Sequence, residues 1–205
     1  MSFYSISDFI RENYPQYYGY STYPRAECVT IHKVDGEWGV FCNFASTPIV
    51  IDGVTFPSSE HLFQLMKFKD PVVIANIMNG ITNNGKRCHQ IKKTVKSYEK
   101  EYRRDDWGTM VIDAMKFCLV KKYEQSSEFR NKLEESKGKY IVEDQTTMPK
   151  KSPDAWGVKP DGADFSGPNL LGRLLMELRD KGNLEYTLPN DALGFINVLK
   201  SINRQ

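Results

Sequence analysis

Pro57-Ser58-Ser59-Glu60-His61-Leu62-Phe63-Gln64-Leu65-Met66-Lys67-Phe68-Lys69 is the stretch that decides how this chain is read. On a helix turning 100° per residue, Glu60, Gln64 and Lys67 fall within about 60° of one another, at i, i+4 and i+7. Leu62, Phe63, Leu65, Met66 and Phe68 occupy most of the remaining surface. A helix that is apolar nearly all round is a buried one. This helix therefore takes an acid, an amide and an amine inward on a narrow stripe, with Ser58 or Ser59 as its N-cap. Two readings of the stripe stand side by side. The commoner is a satisfied polar network or a strip facing water. The other is a reactive lysine beside a proton-transferring acid. Desolvation lowers a lysine pKa and yields an amine able to attack a carbonyl-like carbon. A neighbouring carboxylate can move the protons, but an ionised one also raises the lysine pKa, and the residues alone leave that competition open.

Working outward, residues 27–33 and 37–42 alternate as strands, with Asp35-Gly36 as a hairpin turn between them. Ile49 to Val54, with Asp52-Gly53, repeats the signal, so the early part reads as a small sheet. Ser7 to Asn13 reads as a short helix followed by an aromatic loop. Asp70-Pro71 opens another helix that Gly80 closes. Asp105 or Asp106 caps a longer helix whose Met110, Val111, Ala114, Met115, Cys118 and Leu119 share one face. Ser126 or Ser127 starts the next, and Leu170 to Lys181 forms a further one ended by Gly182. Residues 145–168 read as a long loop of the functional kind, and a last short helix spans about Asp191 to Ile202. The expected fold is a mostly α-helical α+β single domain with a small β-sheet. It occupies 27–182, with an extension over 1–26 and a helical appendage over 183–205.

The 205 residues suffice for one well-buried domain, and a net charge of +2 singles out no partner class. Cys28, Cys42, Cys88 and Cys118 form no C-x-x-C pair, and the three histidines are scattered among them. The expectation is a reduced, cytoplasmic setting, with neither a disulfide framework nor a metal site, and no cofactor. The N-terminal stretch lacks an apolar signal-peptide core, and no run of about 18 apolar residues offers a membrane span.

Three ordered blocks resemble the NADAR family, which includes the YbiA-like N-glycosidases. The first is Phe41-Cys42-Asn43-Phe44, Ile51-Asp52-Gly53 and the intact S-E-H-x-F-Q-x-x-K-F run from Ser59 to Phe68. The second is Trp107 with Lys122-Tyr123-Glu124-Gln125. The third is Trp156-Gly157 with Asn169-Leu170-Leu171-Gly172-Arg173-Leu174-Leu175-Met176-Glu177-Leu178-Arg179. The family implies an α+β fold and hydrolysis of N-glycosidic bonds. It implies one of two substrates, ADP-ribose on guanine in nucleic acid or the ribosylamino-pyrimidine phosphates of early riboflavin synthesis. Both are ribosides of an exocyclic amine. Such a sugar opens to an imine, which a neutral lysine can take over as a Schiff base.

On that resemblance, Lys67 is the expected nucleophile and Glu60 the general acid/base. Substrate contacts are expected from Asn43, Phe44 and Gln64, from Trp107 and Trp156 as stacking faces, and from Asp154, Gly157, Asn169 and Gly172. Core packing is the plain alternative for Trp107, and turn or cap roles are the alternatives for Asn43 and Asn169. The family aspartate three residues before Trp-Gly is Pro153 here, with Asp154 two before. From Gly85 to Arg104, eight basic residues against Glu99 and Glu101 leave +6 locally and −4 for the rest of the chain. Such a run is usually a solvated face. As a phosphate-binding rim it would use Lys86, Arg87, Arg103 and Arg104 on ADP-ribosylated nucleic acid, as single-stranded DNA, or on a small ribosylamine phosphate. The interleaved Tyr98 and Tyr102 favour the strand. Three rival readings are a non-catalytic ADP-ribose reader, a plain structural or interaction domain, and a glycosidase working with carboxylates alone, Glu60 and Asp154.

Overall fold

The computed structural model describes residues 6–83 and 88–202. Along the chain lie α1 (Ile6–Asn13), α2 (Pro15–Tyr18), β1 (Ser21–Pro24), β2 (Cys28–Ile31), β3 (Ile49–Ile51), β4 (Val54–Phe56), α3 (Ser59–Leu65), α4 (Pro71–Asn83), α5 (Cys88–Tyr102) and α6 (Trp107–Gln125). There follow α7 (Ser127–Glu135), β5 (Tyr140–Glu143), β6 (Lys159–Asp161), β7 (Asp164–Gly167), α8 (Leu170–Lys181) and α9 (Gly194–Ile202). The expected mostly helical α+β class holds. No helix among the described residues is long and apolar enough to cross a membrane. The contacts gather into two compact units, residues 1–42 with 128–184, and residues 43–127 with 185–205.

In the first unit, β1, β7 and β6 form an antiparallel sheet in that order, and β2 pairs in parallel with β5. Tyr23, Val142, Val158 and Phe165 make a small core. Helix α8 packs on β5 through a fixed device. Asn169 adopts a left-handed conformation (φ 52°), and its amide spans the strand backbone. Its Nδ2 donates to Ile141 O at 2.9 Å, and its Oδ1 accepts from Glu143 N at 3.1 Å. A Cβ on Gly172 would stand 2.0 Å from Ile141 O and 2.5 Å from Asn169 Oδ1, so only glycine permits this approach. Arg173 then gathers the N-terminal segment, donating to Gln16 O, Gly19 O, Ser21 Oγ and the Tyr23 hydroxyl. Residues 14–24 are thus bonded into this unit.

In the second unit, β3 and β4 form a hairpin about Asp52 (φ 49°) and Gly53 (φ 82°), the positive-φ pair such a turn demands. The Gln125 side chain brackets the β3 edge, accepting from Val50 N at 2.8 Å and donating to Val50 O at 3.0 Å. Helices α3 and α6 pack together, α5 packs on both α3 and α4, and α9 covers α4 and β4. Phe195 meets Phe56 edge-on at 5.8 Å. The buried Arg104 guanidinium joins Asp106 (2.7 Å) to Asp191 (2.8 Å), and Asp191 also takes Lys69 at 2.7 Å. The C-terminal segment is thereby tied beside the end of α5.

Several expectations change. Residues 37–42 hold a 3-10 turn over Gly39–Phe41 and no strand. Gly39 is pressed against the chain there, since a Cβ would lie 2.0 Å from Val34 O. The partner of β2 is therefore the distant β5, and the early strands enter three separate pairings in place of one sheet. Residues 145–168 contain the β6–β7 hairpin. Helix α4 runs through Gly80 to Asn83, because packing outweighs the roughly 1 kcal/mol that a mid-helix glycine costs.

Two outcomes follow from these contacts. Gly172→Ala should destabilise the chain by on the order of 3 kcal/mol in chemical denaturation, the cost of an overpacked contact against backbone. Asp191, held down to about 2 by Lys69 and Arg104, contributes stability that is whole above about pH 4 and is lost as pH falls through its folded value. Asp191→Asn should therefore melt slightly below the parent at neutral pH, a small difference because solvent screens this half-exposed carboxylate, and the gap should close between pH 4 and 2.

Candidate active site

The stripe read from the sequence exists, on a helix shorter than expected. Helix α3 begins where the Asn43 carbonyl accepts Glu60 N at 2.8 Å and the Ser59 hydroxyl at 3.2 Å. The Asn43 side chain also accepts from Ser59 and donates to Met115 Sδ at 3.4 Å. Asn43 therefore anchors the helix start. These bonds give Asn43 a structural role beside the sugar contact that the resemblance implies. After Leu65 the helix tightens, with Lys67 N bonding Gln64 O and Phe68 N bonding Leu65 O. Lys67 sits just past the helix in that turn, and Arg104 N holds its carbonyl at 2.9 Å.

The Lys67 side chain is 8% exposed and ion-paired with Glu99, whose side chain is 30% exposed. Its Nζ also lies 5.7 Å from the centre of the Trp107 ring. Burial pushes the Lys67 pKa below its ordinary value, and the charges of Glu99 and Glu60 only partly offset that. Of the two opposing effects named above, desolvation is the larger. Glu60, 4% exposed, accepts from Gln64 Nε2 at 2.7 Å and stands 3.5 Å from Lys92 Nζ. Lys92 in turn lies 4.7 Å above the Phe44 ring. Two acid–base pairs thus link α3 to α5. Glu60 and Lys67 are seven residues apart, as are Lys92 and Glu99, and each seven-residue step returns a helix to nearly the same face. Around this quartet, Gln64 Oε1 and Trp107 Nε1 are buried without a hydrogen-bond partner among the described residues. They are one acceptor and one donor left unsatisfied in the interior beside Lys67. His61 is kept neutral by burial, with its pKa down to about 4, and meets Ser58 Oγ at 2.8 Å.

Glu99 is the group the sequence reading passed over. It stood among the cations of the basic run and was counted only as a charge. The signal was the periodicity of α5, where Ile91 and Val95 are buried and Glu99 follows Val95 by four residues. Trp107 changes role. It is 1% exposed and meets Phe63 edge-on at 5.1 Å, so it packs beside Lys67, and a base cannot stack on a covered face. Arg104 also changes role, its guanidinium being engaged by Asp106 and Asp191. Arg103 lines a shallow depression with Lys69 and Tyr102. Lys86 and Arg87 lie outside the described residues.

The remaining expected residues belong to the first unit and organise it. Asp154 Oδ1 accepts from Trp156 N (2.9 Å) and Gln145 Nε2 (2.6 Å), while Asp154 N donates to Gln145 Oε1 at 2.9 Å. This pins the turn carrying Trp156. Gly157 lets Glu143 O pass within 2.5 Å of where a Cβ would be, and its own carbonyl accepts Asn169 N. Asn169 and Gly172 form the clasp on β5 described above. The structure places both against that strand.

Residues 31–181 match the NADAR domain. The N-glycosidase YbiA of Escherichia coli strain K12 is 31% identical over 158 residues, which cover 77% of this chain and 89% of that protein. A riboflavin biosynthesis protein of Vibrio vulnificus is 27% identical over 84% of this chain and 42% of its own length. The NMR structure of E. coli YbiA superposes with a TM-score of 0.58 at 27% identity, covering 77% of this chain and 89% of that one. With its motif run intact and its fold shared, this chain belongs to the NADAR family.

Proposed function

We propose that this protein is an N-glycosidase, a hydrolase that cleaves the bond between ribose and an exocyclic base amine, with Lys67 as nucleophile and Glu60 as proton donor to the departing base. The observation that carries this reading is a desolvated lysine amine, its pKa lowered by burial, paired with the Glu99 carboxylate and within the field of Glu60. A solvated lysine is protonated and inert as a nucleophile at neutral pH, and burial is a standard means of freeing the amine. A ribosylamine supplies the matching electrophile, because its ring opens to an imine at C1. Exchange of the base amine for Lys67 leaves a Schiff base that water releases. A carboxylate-only mechanism has no use for a buried lysine and is the weaker account. An ADP-ribose reader would need neither Lys67 nor Glu60.

For the substrate, we take ADP-ribose linked to guanine in single-stranded nucleic acid. Lys92 is an exposed cation beside Glu60, and Lys93, Lys96 and Lys100 follow on the same helix. Together these charges suit a pyrophosphate or a strand backbone. The likeness to the Vibrio riboflavin biosynthesis protein favours a second reading, hydrolysis of ribosylamino-pyrimidine phosphates.

Incubation with an oligonucleotide bearing ADP-ribose on guanine, followed by mass spectrometry, should show release by the parent. Folded Lys67→Ala should lose on the order of 10³-fold or more in rate. Release by both proteins would discard the lysine mechanism, and no release by the parent would move the substrate to the ribosylamino-pyrimidine phosphates. The rate should also climb with pH and level off below pH 10.5, lysine's ordinary value, because only the neutral amine attacks. A midpoint at 10.5 would contradict a desolvated nucleophile.

A further inference from the structure

Glu99 touches the reacting nitrogen, and its surroundings differ from those of Glu60. Glu60 is buried, fixed by Gln64 and approached by Lys92. Glu99 reaches Lys67 from α5 and keeps nearly a third of its side chain in solvent. A buried charge needs a partner, and a purely structural counter-ion for Lys67 could have been the nearer-in-sequence, better-buried Glu60. Glu60 instead stands 3.5 Å from Lys92. The amine is thus paired with a carboxylate that communicates with water and feels the charge of a second that is buried.

We infer that Glu99 is a second catalytic carboxylate, which takes the proton from Lys67 while Glu60 gives one to the leaving base. The inference rests on the lysine mechanism proposed above. Opening of the sugar ring to a protonated imine consumes one proton, matched by the one the Lys67 ammonium gives up through Glu99. The Nζ lone pair then bonds C1, and the imine π electrons pass to the base nitrogen. Nζ, now carrying two hydrogens and a positive charge, passes one proton to Glu99. Glu60 relays a proton from the neighbouring Lys92 ammonium to the base nitrogen, the C1–N bond breaks, and its electron pair leaves with the base as a neutral amine. A protonated lysine imine remains. Water adds to C1, and its proton returns through Glu60 to Lys92. Glu99 returns its proton to Nζ as the C1–Nζ bond breaks. The carbinol proton ends on the amine, which regenerates the Lys67–Glu99 pair and the free sugar aldehyde.

The groups facing Lys67 are Glu99 and Lys92 from α5, Glu60 from α3 and the Trp107 ring from α6. If Glu99 acted only by its charge, its removal would free more neutral amine and speed attack near neutral pH. If it accepts the proton, its removal slows attack. The two roles predict opposite signs.

The test uses the full chain with ADP-ribose, and separately ribose 5-phosphate, as aldehyde probes in the presence of cyanoborohydride. The rate of reduced adduct at Lys67 is read by peptide mass spectrometry from pH 6 to 9. Glu99→Gln keeps an oxygen to accept from Lys67 and removes only the basicity. It should label about 100-fold more slowly than the parent, in the range of a lost acid–base group. Glu99→Ala should regain labelling in proportion to added formate, which a structural role would not produce. Labelling of Glu99→Gln at the parent rate or faster, or no formate rescue, overturns the role of Glu99 and leaves the nucleophile standing. Absence of any Lys67 adduct in the parent overturns the lysine mechanism and the role of Glu99 with it.

Discussion

A lysine ammonium removed from water is the constraint around which the second unit is arranged. Alone, a buried cation would be strongly destabilising, so burial demands either a partner or loss of the proton. Both are provided for. Glu99 partners the charge, and burial beside the Trp107 ring favours the neutral form. The same burial that the ion pair makes tolerable holds the amine below its ordinary pKa. That is the condition a nucleophilic lysine needs.

Holding such a pair takes more than the two side chains. Lys67 lies in a turn that has already left the helix, and its backbone is fixed by the amide of Arg104 at the end of α5. Arg104 is in turn fixed by Asp106 and Asp191, which tie the start of α6 and the C-terminal segment to the same point. The α3 start is set by Asn43. Residues that resemble substrate ligands in a motif hold, in these places, the helix and turn that carry Glu60 and Lys67. The arrangement fits a site built on regular elements, where position is held more tightly than in loops.

The first unit makes a parallel point about motif residues. Asn169, Gly172 and Gly157 carry much of the third block, and their geometry explains their chemistry without a ligand. The Asn169 amide substitutes for a missing strand neighbour along β5, and the glycines allow the close backbone approach that the clasp requires. Asp154 does the same for the turn that presents Trp156. Motif and site therefore overlap only in part.

Local pattern carried the sequence reading where a signal is local. The apolar wrap of residues 59–68, the Asp52-Gly53 turn, the Gly182 stop and the face of α6 all follow from periodicity or from positive φ. The stripe of Glu60, Gln64 and Lys67 was legible for the same reason. Strand pairing was not, because β2 joins β5 across more than a hundred residues and β1 joins β7 across more still. Pairings of that range are set by packing and leave no mark on either strand alone. Likewise, the choice of Glu99 over Glu60 as the partner of Lys67 depends on how α5 lies against α3. The sequence by itself determined that an amine and an acid share one stripe of a mostly apolar segment. Only the tertiary structure decided which carboxylate meets that amine, because the partner lies 32 residues away and its approach is fixed by helix packing.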